Sequence, residues 1–514
     1  AVLSVVAGSP GAGAAALRRC EERATCWECT ATPRLHLFNT TYQLCEWCSG
    51  RCGPQPSRLD PSPALACPSD EDPVRFEVEC PMPAEDLPAL PVDSILSDWM
   101  GQMAPVLDPL PLLALSLPGT HDTLTYELST VLSDGEVPDA LREYERFDGI
   151  NDFIRWQAQT HALDISSQLE NGIRFFDFRM MYESDLGDWY SEHTIQSKRT
   201  TVHYLTEMRS WLDAHSSEII VLWLSKHGNT CNKGDDQYTN VSTEEKQNMW
   251  QRIQEIFDGL LVDFSVTSIN STSLADMKQR GHRVVIYAAD YEEMTSNSSL
   301  ALDACLIDNI LGTQAYKDDG AWLRETFNSS QERIASDMLE QRLMLVSMAG
   351  SAGNQQIAAA AVNRFAGTSI PCPMALSPLP NFTTWCPETL LDLAQLENYY
   401  GQRELEWAVV GGYGLPNAIY INGVDWDGTI RTGTKMPYGT PRSPDPDHQI
   451  SRYAYVATFL SWNYQLACRS VDCSNQGDLA GRIEAQRAKY PLGSWDDEPY
   501  GRSRIEEAAG ATRV

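Results

Sequence analysis

Short apolar runs alternate with amphipathic helical patterns along most of the chain after about residue 86. Runs of about five or six apolar residues bounded by turn residues are typical of buried strands. The predicted strands are Leu112–Leu117, Phe175–Met180, Ile219–Trp223, Arg283–Ala288, Leu343–Ser347 and Ala418–Asn422. The predicted helices include Val202–His215 and Thr243–Phe257. This alternation predicts an α/β fold with parallel strands, an irregular and decorated (β/α) barrel of the TIM type.

Cysteine usage predicts a second domain before the barrel. The first 80 residues hold eight of the 14 cysteines: Cys20, Cys26, Cys29, Cys45, Cys48, Cys52, Cys67 and Cys80. Few aliphatic residues accompany them, so this region needs disulfides to hold a fold. We therefore predict an N-terminal segment at 1–19, a disulfide module at 20–85, the barrel at 86–495 and a tail at 496–514.

The spacing of these cysteines has two interpretations. Cys26-x-x-Cys29 followed by Cys45-Glu46-Trp47-Cys48 resembles the plexin-semaphorin-integrin cysteine-rich module. That resemblance implies a docking module and therefore a candidate site for a protein partner. The same two pairs also fit a tetrahedral zinc ribbon. Disulfides are favoured because the chain also carries glycosylation sequons.

Charge and sequons predict where the protein acts. The 70 acidic and 39 basic residues give a net charge of −31, which excludes a broad nucleic-acid footprint. The chain begins at Ala1 rather than Met, which we interpret as removal of a targeting peptide. Together with the even number of cysteines, the sequons predict a secreted or cell-surface glycoprotein. The sequons are at Asn39, Asn240, Asn270, Asn297, Asn328 and Asn381.

Two charged motifs stand where predicted strands end. The tetrapeptide 119–122, Gly-Thr-His-Asp, carries His121 and Asp122. In a (β/α) barrel the carboxyl ends of the strands form the catalytic face, where a histidine can exchange protons near neutral pH. Asp177 and Arg179 lie two residues apart, so both side chains point to one face of their strand. Burying them there requires mutual pairing or a bound anion.

Two further cations complete an ordered series. His193 follows within residues 188–193, and Lys226 ends the apolar run 219–225. Considered by itself, His193 is interpreted as a histidine of a surface loop. Considered by itself, Lys226 is interpreted as a buried cation that pairs with Asp122. The four motifs in this order resemble the phosphatidylinositol-specific phospholipase C X-domain family, over about residues 110–430.

The resemblance implies a role for each charged residue. His121 is the general base that takes the proton of the inositol 2-hydroxyl, and His193 is the general acid that protonates the leaving oxygen. Arg179 holds the phosphoryl oxygens, and Asp122 and Lys226 pair in support. An inositol phospholipid is cleaved in this way through a cyclic inositol phosphate.

The remaining implications are less closely matched. In the family a carboxylate is hydrogen-bonded to the first histidine, here His121, and we choose Asp425 for that role. Asp308 and Trp426 are candidates for contacting the substrate. Its calcium-dependent branch has a metal ligand where this chain has Arg179, so the resemblance implies no metal and no cofactor. The substrate is then an inositol phospholipid or another inositol phosphodiester, glycosylphosphatidylinositol anchors included, with peripheral contact to a membrane.

Three other functions stay open. Ser351 lies in a small-residue turn after a strand and precedes Asp425 and His448, in the chain order of a serine α/β-hydrolase triad. A non-enzymatic adhesion or assembly protein could also use such a barrel. A metal-dependent glycerophosphodiesterase requires a cluster of acidic and histidine ligands.

Overall fold

The structure of the protein is a computed structural model, and its description covers the residues that follow. They are 45–48, 51–54, 95–135, 150–226, 238, 240–311, 341–347, 349, 390, 394, 416–423, 454–468, 473, 479 and 481–483. The chain divides into two compact units. The first is Ala1–Pro88, Val362–Ser369 and Arg431–Thr434, and the second is Ala89–Ala361, Ile370–Ile430 and Lys435–Val514.

A short hairpin is the described part of the first unit. Strand β1 (Cys45–Cys48) pairs with β2 (Arg51–Pro54) in antiparallel register. The tetrapeptide Cys-Glu-Trp-Cys is therefore a strand. The other cysteines of the predicted module lie outside the described residues, as do the segments 1–19 and 496–514, so these domain assignments remain predictions.

Eight parallel strands form the barrel of the second unit among the described residues, and their order around the sheet follows their order in the chain. The strands are β3 (Leu117–Thr120), β5 (Phe175–Glu183), β8 (Ile220–Ser225), β9 (Val284–Ala288), β10 (Leu302–Asp303), β11 (Ile307–Leu311), β12 (Leu343–Ser347) and β13 (Ala418–Ile421). The last strand, β13, pairs with the first, β3, which is the arrangement of a (β/α) barrel. Among the described residues, no pairing joins β10 to β11. The predicted TIM-type fold is confirmed.

Three antiparallel strands extend one side of the barrel beyond β5. They are β4 (Leu128–Leu132), β6 (Asp188–His193) and β7 (Ile195–Thr200). The carboxyl half of β5 pairs with β6, which pairs with β7 in turn. This extension was not predicted, and it makes His193 the last residue of a strand rather than a loop residue.

Helices separate most of the strands, as the sequence pattern predicted. They are α1 (Trp99–Gln102), α2 (Ala104–Leu107), α3 (Ile150–Ala158), α4 (Ile165–Glu170), α5 (Thr201–Ala214), α6 (Thr243–Ile256), α7 (Leu274–Gln279), α8 (Tyr291–Thr295) and α9 (Ala454–Ala467). The predicted α5 and α6 are confirmed within one residue at each end. A capping box between Ser242 and Glu245 fixes the start of α6. None of the described helices has the length and apolar character to cross a lipid bilayer.

One predicted strand begins later than expected. Leu112–Ala114 is a short 3-10 helix, and β3 begins at Leu117, whose N–H donates to the carbonyl of Asn417. An apolar run does not by itself distinguish a strand from another buried conformation. Here the run covers the amino end of the barrel before it enters the sheet.

A buried ion pair lies at the amino end of β5. Arg174 and Glu218 are both fully buried, with 2.6 Å between Nη2 and Oε2. The remaining guanidinium hydrogens reach the carbonyls of Leu169, Ile173 and Ser97. Because every donor is satisfied, the charge is tolerated in the core.

We predict that Glu218→Ala lowers the free energy of unfolding by about 3–5 kcal/mol, because it leaves the buried guanidinium of Arg174 without its carboxylate. The matched control is Asp213→Ala, which removes the exposed ion pair with Arg209 and should cost about 0.5 kcal/mol or less. Denaturant unfolding measures both values. Equal losses in the two variants would contradict the assignment of Arg174–Glu218 as a stabilising core pair.

Candidate active site

The turn after β3 presents His121 and Asp122 at the carboxyl end of the barrel. Gly119 is required in β3, because a Cβ there would lie 2.9 Å from the carbonyl oxygen of Ile419. Asp122 adopts φ of 47°, in the left-handed region that aspartate tolerates better than most residues. Its N–H donates to Oδ2 of Asp177 at 3.2 Å, which ties the turn to β5.

The imidazole of His121 has a defined tautomer. Its Nδ1–H donates to Oδ1 of Asn422 at 2.8 Å, and its Nε2 accepts from Nη2 of Arg179 at 2.8 Å. The ring stacks on Tyr420 with 5.0 Å between centroids. Burial lowers the pKa of His121, and the attraction of Asp122 only partly offsets this. The ring is therefore neutral at pH 7, with the basic lone pair on Nε2.

Arg179 binds two buried carboxylates. Its Nε lies 2.5 Å from Oδ1 of Asp122, and its Nη2 lies 3.1 Å from Oδ2 of Asp177. Burial alone would raise the pKa of Asp122, but Arg179 and the neighbouring histidines lower it to about 2. Burial likewise opposes the charge of Arg179, and the two carboxylates outweigh it and raise its pKa. The pair therefore stays ionised across the physiological range.

His193 approaches the same carboxylate from the antiparallel extension. Its Nδ1–H donates to the carbonyl of Ala158 at 2.7 Å and lies 3.4 Å from Oδ2 of Asp122. Nδ1 of His121 is also 3.4 Å from that oxygen. Asp122 thus contacts both histidines, while the partly exposed ring of His193 has Nε2 available for a substrate. The structure brings together four predicted site residues, His121, Asp122, Arg179 and His193.

A cation that pairs with Asp122 in the structure is Arg179. The predicted pairing of Asp122 with Lys226 stays a prediction. Asp122 follows β3, and Arg179 lies on the adjacent strand β5, whereas Lys226 follows β8, one strand further away. Lys226 is buried at the same edge of the barrel, one residue after Ser225, the strand partner of Arg179.

Asp308 does not lie with the other site residues. Tyr420, which stacks on His121, faces the site, and strand pairing places Ser347 on the same face. Asp308 pairs with Met344, which lies on the opposite face because side chains alternate along a strand. Its carboxylate is 3.6 Å from the guanidinium of Arg342. Asp308 thus lies on the opposite face of the sheet from Tyr420.

Asn422 is the main residue that the sequence interpretation missed. An acid was expected on His121, and Asp425 was the choice, but Asp425 and Trp426 lie outside the described residues. The group bonded to Nδ1 of His121 is the amide of Asn422. A polar residue directly after the apolar strand β13 was the available signal. Ser351 and His448 of the alternative triad also lie outside the described residues.

The donor atoms that could hold a divalent cation at this site are already in contact with a guanidinium. Ligand atoms of His121, Asp122 and Asp177 lie within 4.8 Å of one another, which would suit a metal ion by distance alone. The guanidinium of Arg179 already contacts all three side chains. A divalent cation would have to displace a positive charge that pairs with both carboxylates.

Comparison with known proteins agrees with the motifs. No family model matches the chain. The chain is 35% identical over 134 residues to the zebrafish PI-PLC X domain-containing protein 1, covering 25% of this chain and 43% of that protein. The human protein of the same name is 31% identical over 136 residues, covering 24% and 40%. The match therefore spans about two fifths of each of these relatives.

Two solved structures with partial similarity are bacterial. The phosphatidylinositol-specific phospholipase C of Listeria monocytogenes has 16% identity and a TM-score of 0.38, covering 64% of this chain and 94% of that one. A variant of the Staphylococcus aureus enzyme has 13% identity and a TM-score of 0.39, covering 64% and 91%. The barrel and the sequence matches together define a phospholipase C-like fold. The resemblance to the PI-PLC X-domain family inferred from the motifs is confirmed.

We predict that Asn422→Asp raises the pKa of His121, because a carboxylate replaces a neutral amide at 2.8 Å from Nδ1. In the unaltered protein the His121 pKa should lie below the value of about 6.5 of a free imidazole. Titration followed by NMR of ¹⁵N-histidine measures both, and His121→Ala assigns the signal. An unchanged pKa in Asn422→Asp would contradict the contact.

Proposed function

We propose that the chain is a metal-independent phosphodiesterase of the phosphatidylinositol-specific phospholipase C type. The observation that carries this proposal is the arrangement of two histidines and one arginine around Asp122 at the carboxyl end of the barrel. His121 offers a basic nitrogen, His193 a nitrogen that can carry a proton, and Arg179 a fixed positive charge. In-line displacement at phosphorus needs these three groups.

The first step transfers one proton at each histidine. Nη2 of Arg179 first leaves Nε2 of His121 for the phosphoryl oxygens. Nε2 then takes the proton of the inositol 2-hydroxyl, and the hydroxyl oxygen attacks phosphorus. The bond to the leaving oxygen breaks as Nε2 of His193 protonates that oxygen. The product is a cyclic inositol phosphate. Water can then open the ring with the two histidines in exchanged roles, which restores their starting protonation.

Arg179 acts on the phosphoryl oxygens during both steps. It is largely buried, and its donors converge beside Nε2 of His121. A preorganised cation in a site with little water stabilises developing charge far more than it does in bulk solvent. Because this cation is part of the chain, the proposal requires no metal. The substrate class is an inositol phospholipid or another inositol phosphodiester, glycosylphosphatidylinositol anchors included.

We propose further that the protein is secreted and glycosylated. Cys468 and Cys473 form a disulfide, and Cys305 is also disulfide-bonded, which is typical of oxidising compartments. Asn240 and Asn297 are exposed, whereas Asn270 is half-buried. We expect glycans on Asn240 and Asn297, detected as Asn-to-Asp mass shifts after enzymatic deglycosylation. A cysteine-rich module that binds a protein partner remains part of the same proposal.

The test is phosphorus NMR of the purified protein with phosphatidylinositol in detergent micelles. We expect a cyclic inositol phosphate signal that EDTA does not change. His121→Ala should lower kcat by about 10²- to 10⁴-fold, since it removes the general base. His203→Ala, which alters an exposed histidine on α5, is the matched control and should retain full turnover.

A pH–rate profile provides a further check. Because burial lowers the pKa of His121, its neutral form persists below about pH 6.5, and activity should decline only as the pH falls through that lowered pKa. Activity should also decline at high pH, as expected for a reaction that needs a protonated general acid. A flat profile from pH 4 to 9, or turnover abolished by EDTA, would contradict the proposed mechanism. Lack of turnover on every inositol phosphodiester would favour the adhesion or assembly function instead.

A further inference from the structure

The segment Ala158–His161 starts at the last residue of α3 and contacts both His121 and His193. It is here called the brace. It leads toward α4. Ala158, Thr160 and His161 are buried, the last two completely. The sequence motifs did not include any of them.

The brace forms hydrogen bonds with the main chain of His121, the proposed base. Nε2–H of His161 donates to the carbonyl of His121 at 2.7 Å. The hydroxyl of Thr160 lies 3.0 Å from the same carbonyl and 3.1 Å from the carbonyl of Asp122, so one hydrogen is shared between them. Thr125 supports this contact by donating to the Asp122 carbonyl at 2.9 Å. These bonds fix the turn in which Asp122 adopts its left-handed conformation.

The brace also forms hydrogen bonds with His193, the proposed acid, and with the residue that follows Asn422. The carbonyl of Ala158 accepts the Nδ1–H of His193 at 2.7 Å. The carbonyl of Thr160 accepts the N–H of Gly423, the residue after Asn422, at 2.7 Å. A single stretch of four residues therefore bonds to three separate parts of the site.

We propose that the brace sets the distance and orientation between His121 and His193, with Thr160 and His161 as positioning residues. The part of this inference that concerns catalysis rests on the proposed function. Neither side chain contacts the substrate in this account. They act through the main chain of His121 and Asp122, and the brace carbonyl acts on His193.

The chemistry of His161 suits a fixed donor. Burial lowers its pKa to about 4, and the bond to the His121 carbonyl only partly opposes this effect. The ring is therefore neutral at pH 7, with its hydrogen on Nε2. Its Nδ1 is buried and has no hydrogen-bond partner among the residues that the structure describes. It donates one hydrogen bond next to His121 and adds no charge that would alter the base.

Precise spacing matters because both proton transfers occur in one displacement. Reacting groups must approach within hydrogen-bond distance in the same complex, and a misplacement of about 1 Å can cost about 100-fold in rate. Removing the Thr160 hydroxyl takes one hydrogen-bond donor away from the His121 and Asp122 carbonyls, in the turn that carries the base. We therefore expect an effect on kcat rather than on substrate binding.

The experiment compares Thr160→Val, which has the same shape without the hydroxyl, with Thr160→Ser, which keeps it. We expect Thr160→Val to lower kcat about 10- to 100-fold with KM within about twofold, and Thr160→Ser to recover most of the rate. The matched control is Thr267→Val. It removes a buried hydroxyl bonded to His282 near the amino end of β9, away from the site. The control should keep its kcat.

Histidine ¹⁵N NMR of the substrate-free protein separates this proposal from the proposed function. Thr160→Val should shift the ring signals of both His121 and His193, and Thr267→Val should shift neither. If the unaltered protein has no turnover but these shifts occur together, the proposed function fails and the brace stands. Turnover with wild-type kcat and unshifted signals in Thr160→Val would overturn the brace.

A second pair of variants tests the proposal independently if Thr160→Val does not fold. His161→Gln keeps an N–H donor near Nε2, whereas His161→Leu removes it. We expect His161→Gln to retain kcat within about threefold and His161→Leu to lose about tenfold or more. Equal activity of the two His161 variants would also overturn the proposal.

Discussion

The ion pair between Asp122 and Arg179 is the interaction on which the rest of the site depends. The carboxylate of Asp122 is fully buried, and an unpaired buried carboxylate would be protonated or would destabilise the fold. Nε of Arg179 at 2.5 Å keeps it ionised. With that charge in place, the Nδ1 atoms of His121 and His193 both lie 3.4 Å from one oxygen. One buried charge thus lies beside two imidazoles, whose Nδ1–H groups are directed by Asn422 and by the carbonyl of Ala158.

The barrel makes this pair geometrically possible. β3 and β5 are neighbours, so the turn after β3 meets the side chains of the carboxyl half of β5. The same strand then continues into the antiparallel extension, and the β6 strand returns His193 toward the site. Residues separated by more than 70 positions in the chain therefore meet through the pairing of three strands. The brace connects their main chains from the side.

Strand positions and the main charged residues could be predicted because they leave patterns in the side chains. Apolar runs indicated β5, β8, β9, β12 and β13, and charges at their ends indicated His121 and Arg179. Asp308 was chosen as a site residue, but its side chain lies on the opposite face of the sheet from Tyr420. Successive side chains along a strand point to opposite faces, so a shift of one residue is enough for this difference. The ion pair between Asp122 and Arg179 was not predicted, because a sequence gives no measure of the distance between side chains on different strands.

The brace and Asn422 could not be predicted for a different reason. Main-chain carbonyls accept most of the brace hydrogen bonds, and every residue type carries such a carbonyl. No residue pattern marks them. The short strands β4, β6 and β7 were missed because none of them is a continuous apolar run, and they pair with one another and, through β6, with β5. Local pattern therefore specified the barrel, whereas the details of the site depend on tertiary contacts.

The central claim is that His121 acts as base and His193 as acid around one shared carboxylate. Its most direct test compares two inositol phosphodiesters, one with a glycerol leaving group and one with a nitrophenyl leaving group, which departs without protonation. The account predicts that His193→Ala loses most turnover on the first and retains near wild-type turnover on the second. His121→Ala should lose turnover on both. Equal losses for His193→Ala on the two substrates would contradict the assignment.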